Sequence, residues 1–153
     1  MNKLNFKKHI LEEGRKKHNS VIFDFNTRMQ ELLKNVSKIN IDKYDLQQQS
    51  LSAEASRKLV RLSEQFQFAE KELQTINNIR IDKTLRQRVG PGSVVVTDKK
   101  TFFVSASIEK FYADGKEIFG LSLESPLYKQ MQGKKKGDEF ICRGIHYRIK
   151  DTF

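Results

Sequence analysis

The pattern of apolar and polar positions divides the chain into two regions with different periods. In the first, Leu4, Leu11, His18, Phe25 and Leu32 recur every seven residues, interleaved with Ile22, Met29 and Val36. A second run repeats the spacing, with Leu59, Phe66 and Leu73 set against Leu62, Ala69 and Ile76. An inward-facing seam of this period predicts supercoiled helices packed knobs into holes. The reversal expected between the two helices, near 38–49, takes about a dozen residues, enough for a tight turn and little else. The expectation is an antiparallel coiled-coil stalk over 1–80 with its tip near 38–49. At 1.5 Å per residue, each arm of about 33 residues would be roughly 50 Å long. The first seam is imperfect where Lys8, Gly14 and Arg15 intrude, which predicts fraying or contact with another domain there.

After Ile81 the period changes. Ser93-Val94-Val95-Val96-Thr97 is dense in β-branched residues, Asp98-Lys99-Lys100 reads as a turn, and Thr101 to Ile108 follows as a second strand. Asp114-Gly115 is a hairpin signal ahead of a strand over Glu117–Leu123. Ser125-Pro126 reads as a helix N-cap followed by proline at the first helical position, so a short helix should run through Met131 and stop at Gly133. Two closing strands, Phe140–Arg143 and Ile145–Ile149, turn at Gly144. The fold class is therefore α+β: an N-terminal helical hairpin, then an antiparallel sheet domain over 81–153 with one short helix. Val89-Gly90-Pro91-Gly92 is the expected joint between the two.

Composition narrows the function. The 153 residues carry 29 Lys and Arg against 19 Asp and Glu, a net charge of +10. A balance this basic suits a polyanionic partner, or a complex containing one, and equally a lysine-rich soluble surface. Mean hydropathy is −0.64, and the sequence contains no apolar run long enough to span a bilayer. Met1 to Lys8 lacks the apolar core of a signal peptide, and the single cysteine, Cys142, suits a reducing cytoplasm. Three histidines without ligand spacing and one cysteine do not make a zinc site.

Against the basic background, Asp42-Lys43-Tyr44-Asp45 places two carboxylates where the hairpin must reverse. Acids three apart on a helical turn lie about 5–6 Å apart at Cβ and face the same way. Two readings stand on spacing alone. Asp45 with Gln48 three residues later fits a capping box for the second helix, and Asp42 fits a loop acid. Alternatively, the pair supplies oxygen ligands to a magnesium ion, which takes one or two carboxylates and keeps its waters.

Ser125-Pro126-Leu127, then Gly133-Lys134, Gly137-Asp138-Glu139 and a last strand bearing Tyr147 and Ile149, resemble the C-terminal domain of bacterial Gre-type transcript cleavage factors. A coiled coil preceding such a domain is that family's architecture, so the resemblance covers essentially the whole chain. It implies an FKBP-like C-terminal domain that docks on RNA polymerase at the secondary channel. It further implies a stalk that enters the channel as a monomer and an acidic tip that stimulates the polymerase's own cleavage of backtracked RNA. The tip would act on the nascent RNA 3′ end and share magnesium with the polymerase active site, without binding a cofactor stably by itself. On this resemblance Asp42 and Asp45 complete the metal site, Glu124, Ser125 and Pro126 contact the polymerase, and Lys34 and Lys38 contact RNA or the channel wall. Two-metal hydrolysis uses one ion to generate hydroxide and another to stabilise the leaving oxygen. Ile39-Asn40-Ile41 and Leu46 to Gln49 depart from the family's tip. A channel-binding regulator or inhibitor without cleavage stimulation is therefore the second reading. A prolyl isomerase or chaperone, suggested by the fold resemblance alone, is the third.

Overall fold

The computed structural model describes residues 2–38, 46–82 and 85–153. Two long helices, α1 (Lys3–Ser37) and α2 (Leu46–Asn78), form the helical hairpin. Six strands follow, β1 (Val94–Thr97), β2 (Thr101–Ser105), β3 (Phe111–Ala113), β4 (Lys116–Ser122), β5 (Glu139–Cys142) and β6 (Ile145–Thr152), with the short helix α3 (Pro126–Met131) between β4 and β5. The α+β class is as the periodicity predicts. The chain divides into two compact units: Asn19–Lys71, and Met1–His18 together with Glu72–Phe153.

In the helical unit, burial follows the heptad. Ile22, Phe25, Met29, Leu32 and Val36 on α1 are half-buried, as are Leu59, Leu62 and Phe66 on α2, and Ala69 is buried. The residues between them are mostly exposed, so the stripe is the narrow seam of a two-helix coil rather than the wide face of a globular-core helix.

The sheet has the order β3-β4-β2-β1-β6-β5. All neighbours are antiparallel except β2 and β4, which run parallel with Phe102 opposite Phe119 and Val104 opposite Leu121. The strand β3 was not foreseen. It forms a hairpin with β4 through Asp114 and Gly115, both at positive φ (49° and 73°), as an Asp-Gly type I′ turn requires. The crossover 106–115 therefore returns the chain beside β2 in the parallel sense. That crossover lies so close to β4 that a Cβ on Gly120 would come within 2.5 Å of the Ile108 Cβ and 2.6 Å of the Ala106 carbonyl oxygen.

The runs Val94-Val95 and Phe102-Phe103-Val104 do not alternate with polar residues because both faces of the sheet are buried. On one face, Val94, Phe103, Ile118 and Phe153 pack with Phe6, Ile10 and Leu11 of α1 and Ile76 of α2. On the other, Val95, Phe102, Val104 and Leu121 pack with Tyr128 and Met131 of α3 and with Phe140, Tyr147 and Ile149. The rings of Phe140 and Tyr147 stack with centroids 5.1 Å apart.

The apparent defect in the first seam is thus a contact surface. Gly14 is buried, and a Cβ there would meet the Phe111 ring at 3.3 Å. Glu72 is also buried, both carboxylate oxygens accepting from the Ser107 backbone N–H at 3.0 Å. Residues 89–92, expected as a joint, are integrated into the sheet unit instead. Val89 is 3% exposed, its N–H donates to the Lys134 carbonyl at 2.8 Å, and the Gly133 N–H donates back to the Val89 carbonyl at 2.9 Å.

Candidate functional site

The candidate site has two separate parts. Asp42 and Asp45 fall between the end of α1 and the start of α2, outside the described residues, as does the proposed capping box of Asp45 with Gln48. At the edges of that segment, Lys34 lies in the last turn of α1, and both it and Lys38 are exposed. Leu46, the first residue of α2, is 80% exposed.

Further along the same helical unit, the structure assembles a groove that the sequence reading missed. Arg28, Glu31, Leu32 and Asn35 of α1 and Lys58, Arg61, Leu62 and Gln65 of α2 line a space of about 460 Å³. The seam residues Leu32 and Leu62 line it together with three cations, Arg28, Lys58 and Arg61, and one anion, Glu31. Lys58 is partly occupied with Glu54, at 3.2 Å. The signal was present in the heptad: Arg28, Lys58 and Arg61 lie one residue or one helical turn from seam positions, so their stems flank the seam while their charges reach solvent.

The second part is the start of α3. Ser125 has extended backbone (φ −68°, ψ 144°), its hydroxyl accepts from the Tyr128 N–H at 3.1 Å, and Pro126 opens the helix. This is the cap read from the sequence, and it fixes how the segment is presented. Glu124 and Pro126 are exposed and Ser125 is half-buried. Glu124 is held by its own N–H donating to the Ser122 hydroxyl at 3.3 Å. Beneath, Tyr128 is 4% exposed and Met131 fully buried. Burial pushes the Tyr128 phenol up from its ordinary pKa, with the nearby Arg86 charge opposing. The phenol therefore acts as core, and Glu124 and Pro126 as surface.

The lysine turn after α3 is held in place through its backbone. The Lys135 backbone pairs with that of Arg88 in an isolated antiparallel β-bridge, and its N–H donates to the Asp138 carboxylate at 2.9 Å. Its side chain and that of Lys136 remain exposed. Another titratable group had no sequence signal: Lys7, on the α1 face packed against the sheet, is 6% exposed. Its pKa is lowered by burial and then by the Arg86 charge, with Asp82 acting in the opposite sense. Among the described residues no group of three or more His, Cys, Asp or Glu side chains is placed to hold a metal ion.

Among the described residues, no helix is long and apolar enough to cross a membrane. Compared with known proteins, the chain matches no family model, no curated protein and no solved structure.

Proposed function

We propose that the chain is an accessory factor of the Gre type: it binds RNA polymerase at the secondary channel and stimulates the polymerase's own cleavage of backtracked RNA. The observation that carries this reading is the order of parts. A heptad-packed hairpin has Asp42 and Asp45 in its connection, and it is followed by an α+β unit that presents Glu124-Ser125-Pro126 at the start of a capped helix. In this reading Glu124, Ser125 and Pro126 dock on the polymerase, and Lys34 and Lys38 contact RNA phosphates or the channel wall. The cations of the hairpin groove, Arg28, Lys58 and Arg61, add to that attraction. Asp42 and Asp45 contribute carboxylate oxygens to magnesium in the polymerase active site, which supplies the activated water. The factor is not itself an enzyme.

The apolar character around the acids favours a second reading. Ile39, Ile41 and the exposed Leu46 would let the hairpin occupy the channel and regulate or inhibit without hydrolysis. An isomerase or chaperone role has less support, because Tyr128, Met131 and Phe140 fill the space between α3 and the sheet.

Polymerase binding and tip chemistry separate by mutation. In a co-purification assay with elongation complexes, Asp42→Asn and Asp45→Asn should bind like the parent while losing cleavage stimulation. Replacing Pro126 should weaken binding. If the tip variants lose binding and the Pro126 variant does not, the division of roles is wrong.

A further inference from the structure

A cavity of about 420 Å³ in the sheet unit is lined by Lys3, Leu85, Arg86, Gln87, Lys135, Lys136 and the last residues of β6 through Phe153. Four of its side chains are cationic and one, Asp151, is anionic. Asp151 is already neutralised by Lys3, at 2.6 Å. Among the described residues no carboxylate side chain forms an ion pair with Arg86, Lys135 or Lys136. Concentrating unpaired like charges around one concavity is unfavourable unless an anion joins them.

Two further observations point to the same ligand chemistry. Thr152, which lines the cavity, is 7% exposed, and its hydroxyl has no hydrogen-bond partner. A buried polar atom left unsatisfied calls for an explanation, and a ligand oxygen is one. In addition, the buried Lys7 lies within the field of Arg86, which disfavours its charged form. An anion beside Arg86 would relieve that repulsion.

We propose that this cavity binds an oligophosphate, a ligand carrying two or more linked phosphate groups, through Arg86, Lys135 and Lys136, with the Thr152 hydroxyl as a further donor. The planar guanidinium of Arg86 suits two phosphate oxygens at once, and the lysines act as point charges. Three unpaired cations exceed the charge of a single phosphate, which carries about −1.5 to −2 near pH 7, and match that of linked ones. Pairing with Arg88, Val89 and Asp138 fixes the backbone of the lysine turn, from which the exposed Lys135 and Lys136 side chains extend. A neighbouring cavity of about 550 Å³ shares Lys3, Asp151 and Phe153 and adds Phe6 and Val96, room for an apolar group attached to the phosphates. Free oligophosphate and the phosphate chain of a nucleotide share the recognised chemistry.

The test is calorimetric titration of the full chain, at low salt, with inorganic pyrophosphate and separately with adenosine diphosphate. Saturable one-site binding of pyrophosphate is expected, weakened tenfold or more in Lys135→Ala/Lys136→Ala and in Arg86→Gln, and weakened by added salt. Thr152→Val, which keeps the side-chain shape, should bind several-fold more weakly with an unchanged circular dichroism spectrum. Tighter binding of the nucleotide identifies a nucleotide source, and equal binding identifies free oligophosphate. The proposal is overturned if millimolar pyrophosphate gives no saturable binding, or if the double lysine variant binds as the parent does. It is equally overturned if Lys34→Ala/Lys38→Ala weakens binding as much, because the effect would then be one of general charge.

Discussion

A lysine buried on the contact face of a helix is costly, and Lys7 shows how that cost depends on pH. Its ordinary pKa is 10.5, and burial together with Arg86 lowers it in the folded chain. Below the lowered value Lys7 is charged in both folded and unfolded states, and the full desolvation cost weighs on the fold. Between the lowered value and 10.5 the unfolded chain holds the extra proton, so stability rises with pH across that window. Replacing a buried charge with an apolar side chain of similar length is often stabilising. Lys7→Met should therefore raise Tm at neutral pH by about 2–4 °C, the shift that about 1 kcal/mol produces in a chain of this size. The advantage over the parent should shrink as pH approaches 10.5. An unchanged Tm at neutral pH, or an advantage independent of pH, would count against this account of the residue. Nothing in the sequence marks Lys7, because the sheet that buries it comes from the other end of the chain.

At the scale of elements, the parallel pairing of β2 with β4 depends on a glycine. Alanine at Gly120 would collide with Ile108 and with backbone, neither of which can swing away. Overpacking of this kind costs about 1–3 kcal/mol or more, so Gly120→Ala should lower the urea midpoint clearly. Ser125→Ala removes the side-chain acceptor for the Tyr128 N–H, and loss of such a cap costs about 1 kcal/mol. Thermal melts check both, and a neutral Gly120→Ala would mean that the crossover has room to move. The helical seam, the Ser125 cap, the Asp114-Gly115 turn and the closing hairpin were all legible, because each depends on neighbours within a few residues. The parallel pairing, β3, and the incorporation of Val89 into the core were not, because they depend on contacts distant in sequence. The same division holds for the candidate site. The acids and the cap announce themselves in short motifs, whereas the Arg28, Lys58 and Arg61 groove and the Arg86, Lys135 and Lys136 cavity appear only when separate elements meet.

At the scale of the whole molecule, each of the two units carries part of the proposed function. The sheet unit buries both faces of its sheet and presents Glu124 and Pro126 from a fixed helix start, which suits a docking platform. The helical unit supplies a cationic surface, and the connection between its helices carries the only element of the proposal that involves metal chemistry, Asp42 and Asp45. The net charge of +10 suits a complex containing nucleic acid, and equally a lysine-rich soluble surface. The most direct test is the rate of RNA shortening in arrested, backtracked elongation complexes supplied with magnesium, with and without the full chain. The account predicts faster shortening with the parent protein and none above background with Asp42→Asn or Asp45→Asn. A parent protein that binds the polymerase yet leaves the rate unchanged would contradict it.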